Sequence, residues 1–162
     1  MPDKNLFHEA KEQYRKKNFE QAIALLQQAI KLNENKAEYH CFLGSCYWYK
    51  SDFPNAEESF KTACRFDPEN PLLHIKLAKI QLISNKEADA LQSLNLASSI
   101  GMQTGSFEEN EEFWDVFLLR SAIYENQRNY LKAVEEYDRF SLVSGSKDIA
   151  EREIKRLMML IC

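Results

Sequence analysis

The sequence predicts an all-α protein made of antiparallel helix hairpins that stack one upon another along the chain. Stretches rich in Ala, Leu, Glu, Lys and Gln favour helix, and Gly and Pro occur only four times each. Small residues also recur with a period of 34 residues, which is typical of helical-repeat proteins. The 162 residues suit a single domain, and a hydrophobic content of 44% is enough for one continuous core.

The repeat is visible in four series of equivalent positions, three occupied by small residues and one by large apolar residues. The series are Ala22, Ala56 and Ala90; Ala29, Ala63 and Ala97; Ala10, Gly44 and Ala78; and Leu26, Phe60 and Leu94. The two helices of a hairpin must approach closely, so some facing positions must be small while larger residues fill the gaps between them. Each hairpin then leaves an apolar face that the next hairpin covers.

The same period sets the expected boundaries. We expect repeats near 3–36, 37–70 and 71–102, an insertion near 101–110, a degenerate fourth repeat near 111–143 and a last helix near 147–161. Helices are expected near 3–16, 19–32, 37–50, 53–66, 71–83, 87–99, 110–127, 130–143 and 147–161. The insertion is inferred because Ala90 and Ala133 are 43 residues apart rather than 34, and because Gly101, Thr104 and Gly105 break the helical pattern.

The C-terminal part departs from the regular repeat. Phe140 stands where the earlier repeats have alanine, so its ring is expected to push the following helix away or to change its angle. Four apolar residues then share one face of the last helix: Ile154, Leu157, Met158 and Ile161. This face either covers the open end of the stack as a capping helix or forms a homodimer contact.

The second repeat resembles the tetratricopeptide-repeat (TPR) family. The family pattern W-x-x-L-G-x-x-Y, followed by A-x-x-x-F and later by Ala and Pro, is present with histidine in place of tryptophan. The matching residues are His40, Leu43, Gly44, Tyr47, Ala56, Phe60, Ala63 and Pro68. The resemblance implies a TPR solenoid, a right-handed superhelix of hairpins with a C-terminal cap. It also implies that the first helices of successive hairpins line a concave surface that binds another protein.

That geometry, carried over to this sequence, places a candidate binding surface on the first, third and fifth helices. The residues are Phe7, Lys11, Arg15, Phe42, Ser45, Trp48, Tyr49, Ile75, Lys76, Lys79 and Ile83. Tyr14 and Leu82 also fall on these helices, but their neighbours are packing positions, so we expect both in the core. Tyr47, Trp48 and Tyr49 are adjacent on one helix and cannot all face the core. We therefore expect an apolar groove near Trp48 whose binding depends little on salt.

Some TPR proteins hold the C-terminal tails of heat-shock chaperones through a carboxylate clamp of Lys, Asn and Arg. The clamp positions correspond here to Phe7, Lys11, Phe42, Leu72 and Lys76, and only Lys76 is a partial match. A tail carboxylate would lack its charge-assisted donors. We therefore expect no binding of heat-shock chaperone tails.

Composition excludes other classes of function. A net charge of −4 argues against nucleic acid as the partner, and no apolar run reaches the length of a membrane span. Four scattered cysteines suggest reduced thiols in the cytoplasm. His40 and His74 are one period apart, which favours packing, and no metal-ligand, phosphate-loop or nucleophile motif is present. We expect neither an enzyme nor a bound metal or cofactor.

Two functions remain open at this stage. One is an adaptor or scaffold that binds a partner protein or an extended peptide. The other is a dedicated chaperone of a secreted or membrane-seeking client. The second is suggested by a weaker resemblance to the TPR chaperones of type III secretion translocators, which are also small, acidic and cytosolic and have an apolar groove.

Overall fold

The computed structural model describes residues 1–105 and 111–161, and the described residues form helices without any β-strand. The helices are α1 (Pro2–Arg15), α2 (Phe19–Leu32), α3 (Ala37–Tyr49), α4 (Phe53–Phe66), α5 (Pro71–Ile83), α6 (Glu87–Thr104), α7 (Trp114–Asn126), α8 (Tyr130–Ser144) and α9 (Lys147–Ile161). A short 3-10 turn at Glu111–Phe113 precedes α7. The all-α prediction is confirmed for this part of the chain. Two expected features, the middle of the insertion at 106–110 and the thiol of Cys162, lie outside the described residues.

One turn joins the two helices of every hairpin. Its left-handed residue is Lys17, Ser51, Asn85 and Arg128 in successive hairpins, with φ between 56° and 62°. In each turn, the backbone N–H of this residue donates to the carbonyl three residues earlier. These positions are 34, 34 and 43 residues apart. The fourth hairpin therefore repeats the local geometry of the first three, with the additional residues placed before it.

Small residues allow the helices of each hairpin to approach closely. Gly44 on α3 faces the ring of Phe60 on α4, and a Cβ atom at Gly44 would lie only 2.9 Å from two carbons of that ring. The equivalent positions in the neighbouring hairpins are Ala10 and Ala78, both buried, and there the facing residue is the smaller leucine. A larger residue on one helix is thus matched by a smaller one on the other.

The two equivalent histidines make the same contact. The Nε2 atom of His40 lies 2.7 Å from the carbonyl oxygen of Glu34. The Nε2 atom of His74 lies 2.8 Å from the carbonyl oxygen of Pro68. Each ring thus reaches a carbonyl six residues back, in the turn before its own helix. The packing role expected from their spacing is confirmed.

The region around the insertion differs from the expectation. Helix α6 does not end near residue 99 but continues to Thr104, with Gly101 buried inside it. It ends at Gly105, which adopts the left-handed conformation with φ 69°. Glycine has no Cβ to oppose this conformation and is common after a helix end. Part of the expected insertion is therefore a longer helix.

Phe140 is accommodated within the stack. Its ring is 5% exposed and packs edge-to-face on Trp114 of its own hairpin, with ring centroids 6.5 Å apart. It shares a buried cluster with Ala150 of α9. Helix α9 therefore packs on the fourth hairpin even though a ring replaces the alanine of earlier repeats.

Helix α9 caps the stack, which is the first of the two roles expected from its apolar face. Ala150 and Leu157 are 1% and 0% exposed against the fourth hairpin. Arg156 binds Glu125 of α7 at 2.5 Å and Glu153 at 2.8 Å. Met158 and Ile161, expected on the same apolar face, remain exposed. The homodimer contact stays a prediction.

The fourth hairpin contains a buried ion pair. Glu136 on α8 is 2% exposed, and its Oε1 accepts from Arg120 of α7 at 2.9 Å and from Arg139 at 2.8 Å. The corresponding positions of the third hairpin are Leu77 and Ser93. The third hairpin therefore has no ion pair at this position.

Candidate functional site

The first helices of the hairpins share one face of the molecule, and this face contains a cavity of about 290 Å³. Its described lining comes from α1, α3 and α5, with one ring from α4. The lining residues are Tyr14, Ser45, Trp48, Tyr49, Phe60, Lys76 and Lys79. Five of these were in the candidate surface inferred from sequence. The helical period places them together, since they recur on the same side of successive first helices.

Aromatic rings form the floor and one wall of this cavity. Tyr14 packs edge-to-face on both Phe42 and Tyr49, with centroid separations of 5.7 Å in each case. Trp48 is half-buried and packs on Phe60 at 6.3 Å. Tyr49 is 64% exposed. Of the adjacent aromatic residues on α3, Tyr49 is therefore the most available to a partner, whereas Trp48 also supports the core.

A second cavity of about 300 Å³ adjoins the first. Its described lining consists of Tyr14, Arg15, Lys17, Phe19 and Tyr49. Phe19 stacks on Tyr49 with a centroid distance of 5.1 Å and an interplanar angle of 5°. Tyr14 and Tyr49 belong to both linings, so the two cavities form one continuous surface, which we call the tyrosine groove. Phe19 begins α2 and was not among the residues expected at the surface, which all lie on first helices.

Tyr14 is neutral at physiological pH. Burial raises the pKa of Tyr14, and a hydrogen bond with the Tyr49 hydroxyl raises it further. Neutral phenol groups both donate and accept hydrogen bonds while their rings offer apolar area. The pair is suited to contact a peptide backbone and an apolar side chain together.

Some of the cations around the groove form ion pairs with described acidic residues, and others do not. Lys79 binds Asp115 of α7 at 2.5 Å. Arg15 pairs with Glu12 one turn earlier, and the Nζ of Lys11 lies 4.6 Å from the centroid of the Phe7 ring. Lys76 makes no ion pair with any residue that the structure describes. It remains available to an acidic group on a partner.

Two residues that were predicted at the binding surface, Phe7 and Ile75, are buried instead. Phe7 is 6% exposed because it packs on Tyr39 and Phe42, with centroids 4.7 and 5.2 Å apart. Ile75 is 2% exposed in the cluster that joins α5 and α6. Both side chains turn into the core, so neither is available to a partner. The core expectation for Tyr14 was also wrong in part, because this half-buried ring lines both cavities.

Among the other residues considered for the binding surface, some line the tyrosine groove and others do not. Ile83 is 43% exposed at the end of α5 but is absent from the described linings of both cavities. Leu82 packs against the core, as expected. Ser45 lines the cavity while its hydroxyl donates to the carbonyl of Cys41 at 3.0 Å. The tyrosine groove is therefore narrower than the surface that sequence suggested.

The described residues include two buried cysteines. Burial raises the pKa of the Cys46 and Cys64 thiols to about 12, so both are protonated and poor nucleophiles at neutral pH. Within residues 1–105 and 111–161, no three His, Cys, Asp or Glu side chains are grouped to hold a metal ion. None of the helices described there combines the length and hydropathy of a membrane span.

The fold and the groove define a helical-repeat solenoid. The family model described as Tetratricopeptide repeat matches residues 7–71. The resemblance is thereby confirmed: these residues are tetratricopeptide repeats, and the rest of the chain continues the same fold. None of the curated proteins matches this chain significantly in sequence.

Solved structures extend the likeness to nearly the whole chain. MamA matches with a TM-score of 0.83 at 17% identity, over 96% of this chain and 80% of MamA. The Yersinia enterocolitica type III secretion translocator chaperone SycD matches with a TM-score of 0.71 at 22% identity, over 77% of this chain and 93% of SycD. Another SycD structure contains a peptide of the translocator YopD. At these identities the likeness establishes the fold.

A third comparison involves a domain bound to a partner. The TPR2B domain of yeast Sti1, in complex with pHsp70, matches with a TM-score of 0.69 at 20% identity. The match covers 75% of this chain and 98% of that domain.

Proposed function

We propose that this protein is a protein–protein interaction module that holds an extended segment of a partner in the tyrosine groove and acts as an adaptor or scaffold. One observation carries the proposal: two adjoining cavities of about 290 and 300 Å³ share an exposed aromatic residue, Tyr49, on the face formed by the first helices. The fold is that of a binding module, and the likeness of SycD bound to a YopD peptide supports a peptide as the partner. Its buried thiols suit the reducing cytoplasm.

Aromatic anchors explain how such a groove binds. Rigid rings provide large contact areas at little cost in conformational entropy, and they tend to dominate binding free energy. A groove of this kind commonly binds with an affinity on the order of micromolar, about −8 kcal/mol. Loss of one anchor should cost roughly 2 kcal/mol, a weakening of about thirtyfold.

The experiment uses a random peptide library displayed on phage and selected against the immobilised protein. Enriched peptides are synthesised with a fluorophore and titrated by anisotropy against the parent and Tyr49→Ala. Tyr49 is better suited than Trp48, because Trp48 packs on Phe60 and its removal would disturb the fold. Leu131→Ala is the matched control, since Leu131 is 63% exposed on α8 and lies outside the groove.

Tyr49→Ala should weaken binding about thirtyfold, whereas Leu131→Ala should bind like the parent. Circular dichroism verifies that both variants remain folded. If folded Tyr49→Ala binds the selected peptides as tightly as the parent does, the groove is not the binding surface.

A second candidate function is that of a dedicated chaperone for a secreted or membrane-seeking client. The observation that favours it is the similarity to the chaperone SycD over 93% of that chain. A chaperone would keep one aggregation-prone client in solution, whereas a scaffold would join folded subunits. Affinity purification from the native cell distinguishes them: one membrane-seeking client supports the chaperone, and several folded subunits support the scaffold.

Heat-shock chaperone tails are expected not to bind. Phe7, Phe42 and Leu72 occupy three of the five clamp positions, and none of them donates a hydrogen bond to a tail carboxylate. The measurement is a calorimetric titration with a synthetic tail peptide and with its C-terminal amide. Micromolar binding that disappears on amidation would contradict this prediction.

A further inference from the structure

The charge of the tyrosine groove is opposite to that of the whole chain. The chain carries a net charge of −4. The described residues that line the two cavities nevertheless include four cations, Arg15, Lys17, Lys76 and Lys79, and no acidic side chain. A concave surface with one sign of charge focuses the electrostatic potential on whatever occupies it.

Another cavity of this molecule differs from the tyrosine groove in its charge. A cavity of about 530 Å³ lies between α4, α5 and α6 and also contains two cations. There Lys61 binds Glu57 at 2.7 Å, and Arg65 lies 3.8 Å from Glu58. Glu58 itself lines that cavity. Acidic groups thus pair with both cations of that cavity, whereas in the tyrosine groove Arg15 and Lys79 are paired and Lys76 has no described acidic partner.

Lys76 is the cation best placed to bind an acidic partner. It is half-buried on α5 and lines the same cavity as Tyr49 and Trp48. Burial raises the pKa of the Cys41 thiol, and the positive charge of Lys76 opposes that increase. Two acidic residues lie nearby. Asp115 is already paired with Lys79 at 2.5 Å. Glu112, in the 3-10 turn before α7, contributes to the raised pKa of the Cys41 thiol.

We propose that the partner segment is acidic: it places an apolar or aromatic side chain against the rings of Tyr14 and Tyr49 and an aspartate or glutamate side chain on Lys76. This inference rests on the proposed function, because it specifies the occupant of the same groove. The acidic group is internal to the segment, since the clamp positions at Phe7, Phe42 and Leu72 provide no donors for a terminal carboxylate. Binding should therefore depend on salt, contrary to the expectation from sequence.

The selected phage peptides test this proposal directly. We expect them to contain Asp or Glu close to an aromatic or large apolar residue. Three forms of one enriched peptide are synthesised: the parent peptide, its C-terminal amide, and a neutral analogue with Asn and Gln in place of Asp and Glu. Each is titrated against the parent protein, Lys76→Gln and the control Lys155→Gln, which removes an exposed cation of α9.

Lys76→Gln should bind the acidic peptide about tenfold more weakly than the parent protein does, because a charge-assisted hydrogen bond is lost. The neutral analogue should bind the parent protein about tenfold more weakly and should not distinguish Lys76→Gln from the parent. The C-terminal amide should bind the parent protein as tightly as the free acid does, and Lys155→Gln should bind each peptide as the parent protein does. High salt should weaken the binding of the acidic peptides but not that of the neutral analogue.

The outcomes separate this inference from the proposed function. If Tyr49→Ala weakens binding but the neutral analogue binds as tightly as the acidic peptide, the acidic partner is refuted and the groove stands. Enrichment of purely apolar peptides has the same meaning. A requirement for phosphorylated peptides, or for a free C-terminus, also overturns the proposal. If neither Tyr49→Ala nor Lys76→Gln changes binding, or if no peptide is enriched, both the inference and the proposed function fail.

Discussion

The contact between Gly44 and Phe60 provides a quantitative test of how the hairpins are packed. A Cβ added to Gly44 would lie 2.9 Å from two ring carbons of Phe60, well inside ordinary contact distance. The ring is 1% exposed and has no room to retreat. Overpacking typically costs about 1–3 kcal/mol, and we expect about 2–3 kcal/mol here because the ring cannot move away. Alanine is also favoured over glycine within a helix by about 1 kcal/mol. Gly44→Ala should therefore destabilise the protein by a net 1–2 kcal/mol.

The same reasoning predicts rescue. Phe60→Leu reproduces the pairing of the neighbouring hairpins, in which alanine faces leucine. In that background the clash is absent, so Gly44→Ala should stabilise the protein by about 1 kcal/mol through helix propensity alone. The coupling energy between the two substitutions should thus be roughly 2–3 kcal/mol. Ala78→Gly is the matched control in the third hairpin, and it should destabilise by about 1 kcal/mol.

The assay is urea unfolding of the four members of the cycle, followed by circular dichroism and tryptophan fluorescence. Trp48 is one of only two tryptophans and lies 6.3 Å from the Phe60 ring, so its fluorescence reports on this hairpin. Additive effects, with a coupling energy near zero, would refute the close approach. So would a Gly44→Ala variant that is as stable as the parent.

Three other predictions concern stability. Ala63→Phe should destabilise by about 1–3 kcal/mol or more, because this fully buried position lies between hairpins, and an unchanged melting temperature would contradict it. Arg120→Met should cost up to about 3–5 kcal/mol, because the buried Glu136 then keeps only the more exposed Arg139 as a partner, whereas changing Arg120 and Glu136 to leucine should recover most of the loss in urea unfolding. Tyr39→Phe removes the hydroxyl that donates to Asp3 at 3.0 Å and should lower stability at neutral pH. Burial alone would raise the pKa of Asp3, but hydrogen bonds bring it below 3.8, so the difference from the parent should narrow as the pH falls below about 4. A difference that is independent of pH would show that Asp3 is not the acceptor.

The sequence by itself determined the helices and their register. Helix ends depend on local signals, such as Pro71 at the start of α5, and on periodic small residues that are repeated every 34 positions. Because each hairpin contacts mainly its neighbours, local pattern and global fold agree in a solenoid. The same logic extended to His40 and His74, whose equivalent spacing led to equivalent hydrogen bonds.

The tertiary structure alone decided which side chains of the first helices reach solvent. Phe7 and Ile75 are buried in the core, whereas Tyr14 lines the groove. Whether a side chain is buried depends on the neighbouring helix that packs over it, and helical spacing alone does not specify that neighbour. The pairing of charges has the same origin. Lys79 meets Asp115 across 36 residues, and Lys76, one turn away, meets no described acid. Ion pairs between helices depend on distances in three dimensions, and these determine which cations remain available to a partner.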